Sequence, residues 1–358
     1  MDDRPDRPRR SDTRSTRKPP ASRAAETRRR NRLRLLERIR TRTPYQDHAV
    51  GVFPSLLVQA ALPHREVYAL GPGGTPIVIP TGRRSRGGTP ETTRALATQY
   101  QTVNGHLTLT VRAGLTRGAV SRGIPYGGLA RLLLAHVVTE AKRRNSQTVD
   151  LGRTLTAFCE RVAVTPSGGP HGRIPYLTDQ LLRLATCAVT YEWEQRRGYG
   201  AAPHLRGDNL FIANHYRFWH CDATPGSEAA SGGSLRLGDD FWRDVARSCV
   251  PFDLRKVQFL RAHPTAIDLY LWLTHRLHKL DDAAEPQVAL SLDQLHAQLG
   301  SHYATGRDGR LAPTAKQEFG RAVTKALGVI RAAWPALHVE RPRGRLVLHA
   351  TGPDIPRD

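Results

Sequence analysis

Cysteine is scarce in this 358-residue chain. The four that occur, Cys159, Cys187, Cys221 and Cys249, stand far apart and form no C-x-x-C pair. A structural zinc site needs close ligand pairs that fix a tetrahedral geometry, so the spacing points to buried free thiols in a reducing cytoplasm. Long apolar runs are also missing. The longest, Leu129 to Val138, contains Arg131 and His136 and is about half the length of a membrane-spanning helix. No apolar core follows the charged N-terminus, which argues against a secretory signal and for a cytoplasmic protein with no membrane partner. No Gly-Lys dipeptide occurs, so Gly71-Pro72-Gly73-Gly74 reads as a turn and not as a phosphate cradle. His-x-His is absent too. Beside a tyrosine nucleophile that pattern would hold the metal of a rolling-circle nicking enzyme, because alternate strand residues share a face. Tyr45 and Tyr303 lack such company, and His275 with His278, at i and i+3, reads as a surface or hydrogen-bonded pair. The expectation is a protein with no catalytic residues, no metal and no cofactor.

Acidic residues are outnumbered, 32 against 54 Lys and Arg, for a formal charge of +22 and a pI of about 10.8. That balance points to a polyanionic partner, and double-stranded DNA is the one expected. Residues 1–42 hold 16 Arg/Lys and 6 Asp/Glu, a net of +10, which leaves +12 on the remainder, so a basic tail does not explain the charge alone. The tail has almost nothing apolar before Leu33 and is expected to be disordered. Its stretch Arg28 to Arg40 either forms a short basic helix on nucleic acid or only keeps the chain soluble. The length suggests two domains beyond the tail, 43–230 and 235–352, joined by the small polar stretch Glu228 to Ser234.

From Val50 to about Arg112 the signals are strands and turns, with Asn104-Gly105 before the alternating His106 to Val111 as a hairpin. Helices are expected over about Leu129–Arg143, Asp150–Val164 and Ile174–Cys187, followed by strand-like Ala188–Trp193 and Leu210–Trp219. Pro264 then opens a helix that carries Ile267, Tyr270, Leu271, Leu273 and Leu277.

The sharpest signal lies between Leu290 and Ala350. Ser291-Leu292-Asp293-Gln294 is a capping box, in which the Ser291 hydroxyl and the Gln294 amide satisfy free backbone donors at a helix start. Leu292, Leu295 and Leu299 fall on one face of that short helix, and a polar loop from Ser301 to Pro313 follows. A longer helix from Thr314 to Trp334 places Phe319, Val323, Leu327, Ile330 and Trp334 inward and Lys316, Arg321, Thr324 and Lys325 on the other side. Two short strands, His338–Glu340 and Leu346–Leu348, flank a tip carrying Arg341, Arg343 and Arg345. This is the order of a winged helix: the long helix enters a major groove, and the arginines grip phosphate or the minor groove.

The first half repeats the layout. Pro125 stands 30 positions before Leu155, as Pro264 stands 31 before Leu295; Leu155 to Arg173 and Leu295 to Pro313 are both 18. The fold expected is therefore α+β, with tandem winged-helix domains behind a disordered basic N-terminal tail. In the first unit Arg173, Gln180 and Arg183 face either DNA or a protein–protein contact.

Several motifs then resemble one family. Ile124-Pro125-Tyr126-Gly127 before Ala130-Arg131-Leu132-Leu133-Leu134 is similar to the "LPYG…RLLL" opening of plasmid-encoded RepA-type replication initiators. Val149-Asp150-Leu151-Gly152-Arg153-Thr154-Leu155 through Phe158 resembles their "I-x-LG-x-S-L-x-x-F" segment, and Asp179-Gln180-Leu181-Leu182-Arg183-Leu184 their "EQ-x-x-RL". Phe241-Trp242, Val250-Pro251-Phe252-Asp253 and Ala266-Ile267-Asp268-Leu269-Tyr270-Leu271-Trp272-Leu273 with Arg276 resemble the "FW", "VP-x-D" and "ALD-x-YLWL-x-x-R" segments. Ile124, Thr154, Asp179 and Ile267 are conservative departures. The resemblance runs from about Tyr100 to His349 and leaves the basic N-terminus outside. It implies sequence-specific binding at direct repeats (iterons) of a plasmid origin, duplex opening, and recruitment of host helicase and polymerase. Repression of the protein's own promoter and a change between homodimer and monomer are implied as well. The residues by themselves fit a winged-helix transcriptional repressor equally, and only the resemblance favours initiation.

Overall fold

Nine consecutive residues, Ala266 to Thr274, are buried. A helix enclosed on every side belongs to a core rather than a surface, and the other elements are layered about this one. The computed structural model describes residues 23–84, 90–169, 172–195, 204–219, 232–280, 287–299, 303 and 311–355. Residues 1–22 of the tail, His220-Cys221, residues 228–231 of the expected linker and most of the loop from Ser301 lie outside them.

The N-terminal part holds α1 (Arg23–Thr41), β1 (Val50–Pro54) and α2 (Ser55–Gln59), then β2 (Val78–Arg84), β3 (Pro90–Arg94), β4 (Gln99–Asn104) and β5 (Leu107–Arg112). A first unit follows: α3 (Gly127–Arg144), β6 (Thr148–Gly152), α4 (Leu155–Arg161), α5 (Arg173–Thr186), β7 (Ala188–Gln195), β8 (His204–Phe211), β9 (Ala213–Arg217) and β10 (Gly233–Leu237). Next come α6 (Asp239–Arg247), β11 (Cys249–Asp253) and α7 (Leu254–Leu260). The last unit is α8 (Pro264–Leu280), β12 (Gln287–Ser291), α9 (Leu292–Leu299), α10 (Pro313–Ala333), β13 (Val339–Glu340) and β14 (Arg345–His349). Every strand pairing among the described residues is antiparallel, and the architecture is α+β. In the last unit the sheet runs β12-β14-β13; in the first it runs β6-β10-β9, with β4-β5-β7-β8 as a separate sheet.

Four sequence expectations change. Asp150-Leu151 belongs to strand β6 and not to a helix: Val149 and Leu151 are buried while Thr148 and Asp150 are exposed, a period of two. The linker expectation fails at its C-terminal end, because Gly233–Leu237 is the middle strand between β6 and β9. The boundary at 230/235 therefore cuts through the first unit's sheet. Strand β1, assigned to the first domain, pairs with β11 of the second, Val50 opposite Asp253 through Pro54 opposite Cys249. Finally, residues 23–41 of the expected disordered tail are helical. Helix α1 buries Ile39, packs Leu35 and Leu36 on the core, and lays the Arg32 guanidinium 4.5 Å over the Phe259 ring. The Arg38 carbonyl in its last turn and the Arg42 carbonyl just beyond it accept from Arg255, and Arg40 donates to the Ala332 carbonyl at 2.9 Å. The helix has partners in the fold, which a reading of composition omits.

At the centre the polar residues of the motifs find one another. Arg131 of α3 donates to both Asp268 carboxylate oxygens of α8, at 2.5 and 2.6 Å, and to the carbonyls of Leu62, Pro63 and Gly127. Those five acceptors use all five guanidinium donors. His64 Nε2 lies 2.7 Å from Asp268 Oδ2. Burial alone would raise the Asp268 pKa; the Arg131 charge and the His64 contact reverse this and hold it below the usual carboxylate range. Along the same helix Tyr270 donates to Asp354 at 2.5 Å and accepts from the Asp253 backbone at 2.9 Å, while Trp272 donates to Gln298 at 2.7 Å.

Breaking a buried pair by removing one partner strands the other charge. Arg131→Met and Asp268→Asn should each lose about 3–5 kcal/mol in urea unfolding, and Arg131→Met/Asp268→Leu together less than the sum. Additive losses would mean that the two groups are not coupled. A second prediction concerns acid. Burial lowers the His136 pKa from 6.5 to about 4, and its Nε2 has no hydrogen-bond partner. Below pH 6.5 the unfolded chain then binds more protons than the folded one, so stability is lost as pH falls toward 4, by about 2 kcal/mol from this group at pH 5. His136→Asn should show a smaller fall in urea midpoint between pH 7 and pH 5 than the parent; an equal fall would place the titration elsewhere.

Candidate nucleic-acid interface

The capping box forms as its spacing requires. The Ser291 backbone donates to Gln294 Oε1 at 2.8 Å, and the Gln294 backbone to the Ser291 hydroxyl at 3.2 Å. Leu292, Leu295 and Leu299 are buried and seat α9. On α10, Phe319, Val323, Leu327 and Ile330 are buried, as is Trp334 just beyond its end. Phe319 packs against the His296 and Tyr303 rings, with centroids 5.3 and 5.2 Å away. With that face fixed, Arg321, Thr324 and Lys325 are left exposed.

The turn between β13 and β14 folds over the same side of α10. The Arg345 backbone donates to the Pro342 carbonyl at 3.1 Å, Gly344 takes a φ of +79°, and its carbonyl accepts from the Leu292 backbone at 3.1 Å. A side chain at 344 would be strained by that φ. Helix and turn enclose a shallow groove of about 840 Å³, lined among others by Lys316, Arg321, Thr324, Lys325, Arg341 and Arg343, with no carboxylate among the lining residues. Six of the seven cationic or polar positions expected in the last unit thus converge; the seventh, Arg345, is exposed on β14.

The six are not equivalent. Lys316 is ion-paired with Asp293, which also accepts from the Leu311 backbone at 3.2 Å, so this lysine fastens α10 to α9. Arg341 folds back, donating to the carbonyls of Pro342 at 2.8 Å and Arg345 at 3.1 Å, and burial lowers its pKa. Room for it comes from Gly320, where a Cβ would stand 3.1 Å from the Arg341 guanidinium. Thr324 donates to the Gly320 carbonyl at 3.0 Å. Arg321, Lys325, Arg343 and Arg345 remain exposed to solvent.

The first unit differs. Gln180 is fully buried: its Oε1 accepts from the Tyr126 backbone at 3.0 Å and its Nε2 donates to Asp179 at 3.1 Å. Arg183 is buried too, paired with Glu66 at 2.7 Å and Asp179 at 2.8 Å and donating to the Ile124 carbonyl at 3.3 Å. Neither side chain faces DNA or a partner, contrary to expectation. The segment between α2 and α3, through Glu66, Ile124 and Tyr126, covers the face of α5 that helical periodicity leaves open. Arg173, at the start of α5, is partly exposed and lines a second concavity of about 620 Å³ with Arg28 and Arg32 of α1 and with Arg261. Burial and the nearby Arg173 charge lower the Arg261 pKa. Sequence reasoning missed Arg261, because nothing local links it to Arg173 or α1.

If Gln180 and Arg183 are internal braces, losing them should be felt in stability. Gln180→Leu should cost about 1–3 kcal/mol by leaving the Tyr126 donor unpaired, and Arg183→Met about 2–3 kcal/mol. Changes within about 0.5 kcal/mol in urea unfolding would return both to the surface.

Residues 124–294 match the family model described as plasmid encoded RepA protein. The match is narrower than the resemblance read from the motifs and stops within α9, before α10 and the turn. Among solved structures, a crystal structure of selenomethionine derivatives of domains 2 and 3 of RctB is 11% identical, with a TM-score of 0.45, covering 77% of this chain and 94% of that one. A second crystal structure of RctB domains 2–3 is also 11% identical, with a TM-score of 0.33, covering 78% and 94%. No curated protein matches the chain. Among the described residues no helix is long and apolar enough to cross a membrane.

Proposed function

We propose that this chain, a member of the plasmid-encoded RepA protein family through residues 124–294, is a replication initiator that reads origin DNA with the groove between α10 and the β13–β14 turn. The observation that carries the reading is the convergence of exposed Arg321, Lys325 and Arg343 on one concave face without a carboxylate in its lining. The element order α8, β12, α9, α10, β13, β14 and the sheet order β12-β14-β13 support a winged-helix reading of this unit. In it α10 lies in the major groove, and Arg343 and Arg345 hold phosphate or the minor groove. Lys316 and Arg341 shape the surface and do not reach from it.

The first unit repeats the order α3, β6, α4, α5, β9, β10 and the sheet order, β6-β10-β9 beside β12-β14-β13, with the β7–β8 hairpin inserted after α5, and we read it as a second winged helix. Its third helix is packed over, so its contribution to DNA is the concavity of Arg28, Arg32, Arg173 and Arg261, which suits backbone phosphates. The protein acts by binding and not by catalysis, in the cytoplasm, on direct repeats of a plasmid origin. Its further partners are host helicase and polymerase and a second copy of itself, and it represses its own promoter. A pure transcriptional repressor is the alternative.

The test is a gel-shift series on duplex DNA from beside the coding sequence, between 50 and 200 mM salt. Arg321→Ala and Lys325→Ala should each weaken specific binding by about 1–3 kcal/mol. Arg343→Gln/Arg345→Gln should weaken binding to every sequence and reduce the salt slope by about 2. Unchanged affinity in both α10 variants would remove that helix from the interface. A plasmid carrying the bound region should replicate only with an intact groove; replication indifferent to Arg321→Ala/Lys325→Ala would favour the repressor.

A further inference from the structure

We propose that His338, Glu340 and His349 form a binding site for a divalent metal of the zinc class at the root of the β13–β14 turn. Residues i and i+2 on a strand share a face, so His338 and Glu340 stand on the same side of β13. Leu348 pairs with Val339, and the His349 backbone donates to the His338 carbonyl at 3.3 Å, which sets His349 opposite His338. Val339 and Leu348 point into the core, and the two histidines and the glutamate lie on the outer face.

The three donors gather on one patch of the outer face, and one imidazole turns out of its stacked pose for both lone pairs to meet a common ion. The imidazoles stack with centroids 4.1 Å apart and planes 13° from parallel. The Glu340 Oε1 atom lies 3.1 Å from His349 Nε2 and 3.8 Å from His338 Nε2, and one donor atom from each of the three falls within 4.8 Å of the others. With zinc–donor bonds of about 2.0–2.1 Å, ligands at tetrahedral corners sit about 3.3 Å apart, which these positions bracket. Two imidazoles and one carboxylate suit zinc, cobalt(II) or nickel(II) and suit magnesium or calcium poorly. His338 and Glu340 are more than half exposed, so the remaining coordination positions open to water.

The site has a mechanical meaning. Strand β13 is two residues long and holds β14 through two residue pairs, and Arg341 follows Glu340 directly. A metal bridging the strands pins the arm that carries Arg343 and replaces a net negative cluster beside the arginines with a positive one. Sequence reading missed the site because His349 joins His-x-Glu only through strand pairing.

The test is calorimetric titration of the full chain with zinc chloride, alongside cobalt(II) titration followed by visible absorption. One equivalent should bind, with the intense bands of a four- or five-coordinate cobalt centre. Losing a ligand should cost no less than losing an outer-shell partner does, so His338→Gln, Glu340→Gln and His349→Gln should each weaken binding by at least about 10-fold. His338 is 58% exposed, so His338→Gln leaves the fold intact and carries the test alone if His349→Gln does not fold. His275→Asn/His278→Asn should bind as the parent does. No binding of zinc by the parent, or undiminished binding by His338→Gln/Glu340→Gln, would overturn the proposal; neither result bears on whether α10 reads DNA.

Discussion

The Arg131–Asp268 pair ties together the two units, because α3 and α8 are each the first helix of their unit and the pair lies where they meet. A buried pair of this kind gives little net stability over an apolar pair of equal volume. Its effect is on alternatives: any other alignment of α3 on α8 buries an uncompensated guanidinium and carboxylate, at about 3–5 kcal/mol. The carbonyls of Leu62 and Pro63 and the His64 ring bring the strand-rich segment into the same constraint. Helix α8 extends it, through Tyr270 to the start of α7 and to Asp354, and through Trp272 to α9. One enclosed helix therefore fixes where α10 stands relative to α5.

The arginines divide accordingly. Arg131, Arg183 and Arg255 are buried and spend their charge on carboxylates, Asp268, then Glu66 and Asp179, then Asp253 and Asp47. These three arginines are outnumbered by their five carboxylates, so the whole of the formal charge of +22 is carried by the other residues. Among the outward cations, one group lines the α10 groove, where no carboxylate stands, and another the concavity where α1 approaches α5 and α7, which Glu160 also lines. Total charge argues for a polyanionic partner, but the distribution, set by burial, decides where it would dock.

Local chemistry was legible in the sequence and long-range chemistry was not. The Ser291–Gln294 box, the buried stripe of α10 and the pairing of the last two strands involve residues a few positions apart, and each forms as read. The α+β class followed from the same local signals. Gln180 and Arg183 failed because a helix face is exposed only if nothing else covers it, and the cover arrives from Glu66 and Tyr126, more than fifty positions upstream. Asp268 and Arg131 stand 137 positions apart, and in sequence each belonged to a separate motif with nothing to pair them. Helix α1 and strand β10 were lost for a related reason: composition describes a segment alone, while both take their stability from neighbours.

The motif residues that mark the family are, in this fold, the internal fastenings. Gln180 holds the backbone of Tyr126, Arg183 the carbonyl of Ile124, Arg131 the carboxylate of Asp268, and Asp253 caps α7. Each joins one motif to another or to its own helix start. The matched stretch takes in all of these fastenings and ends within α9, so of the groove's lining it reaches only Leu292. The two units share an order of elements but not a division of labour: α5 is enclosed and braced, while α10 keeps one face open. The matched family pattern therefore accounts for the frame, and the exposed cations of α10 and its turn lie beyond it.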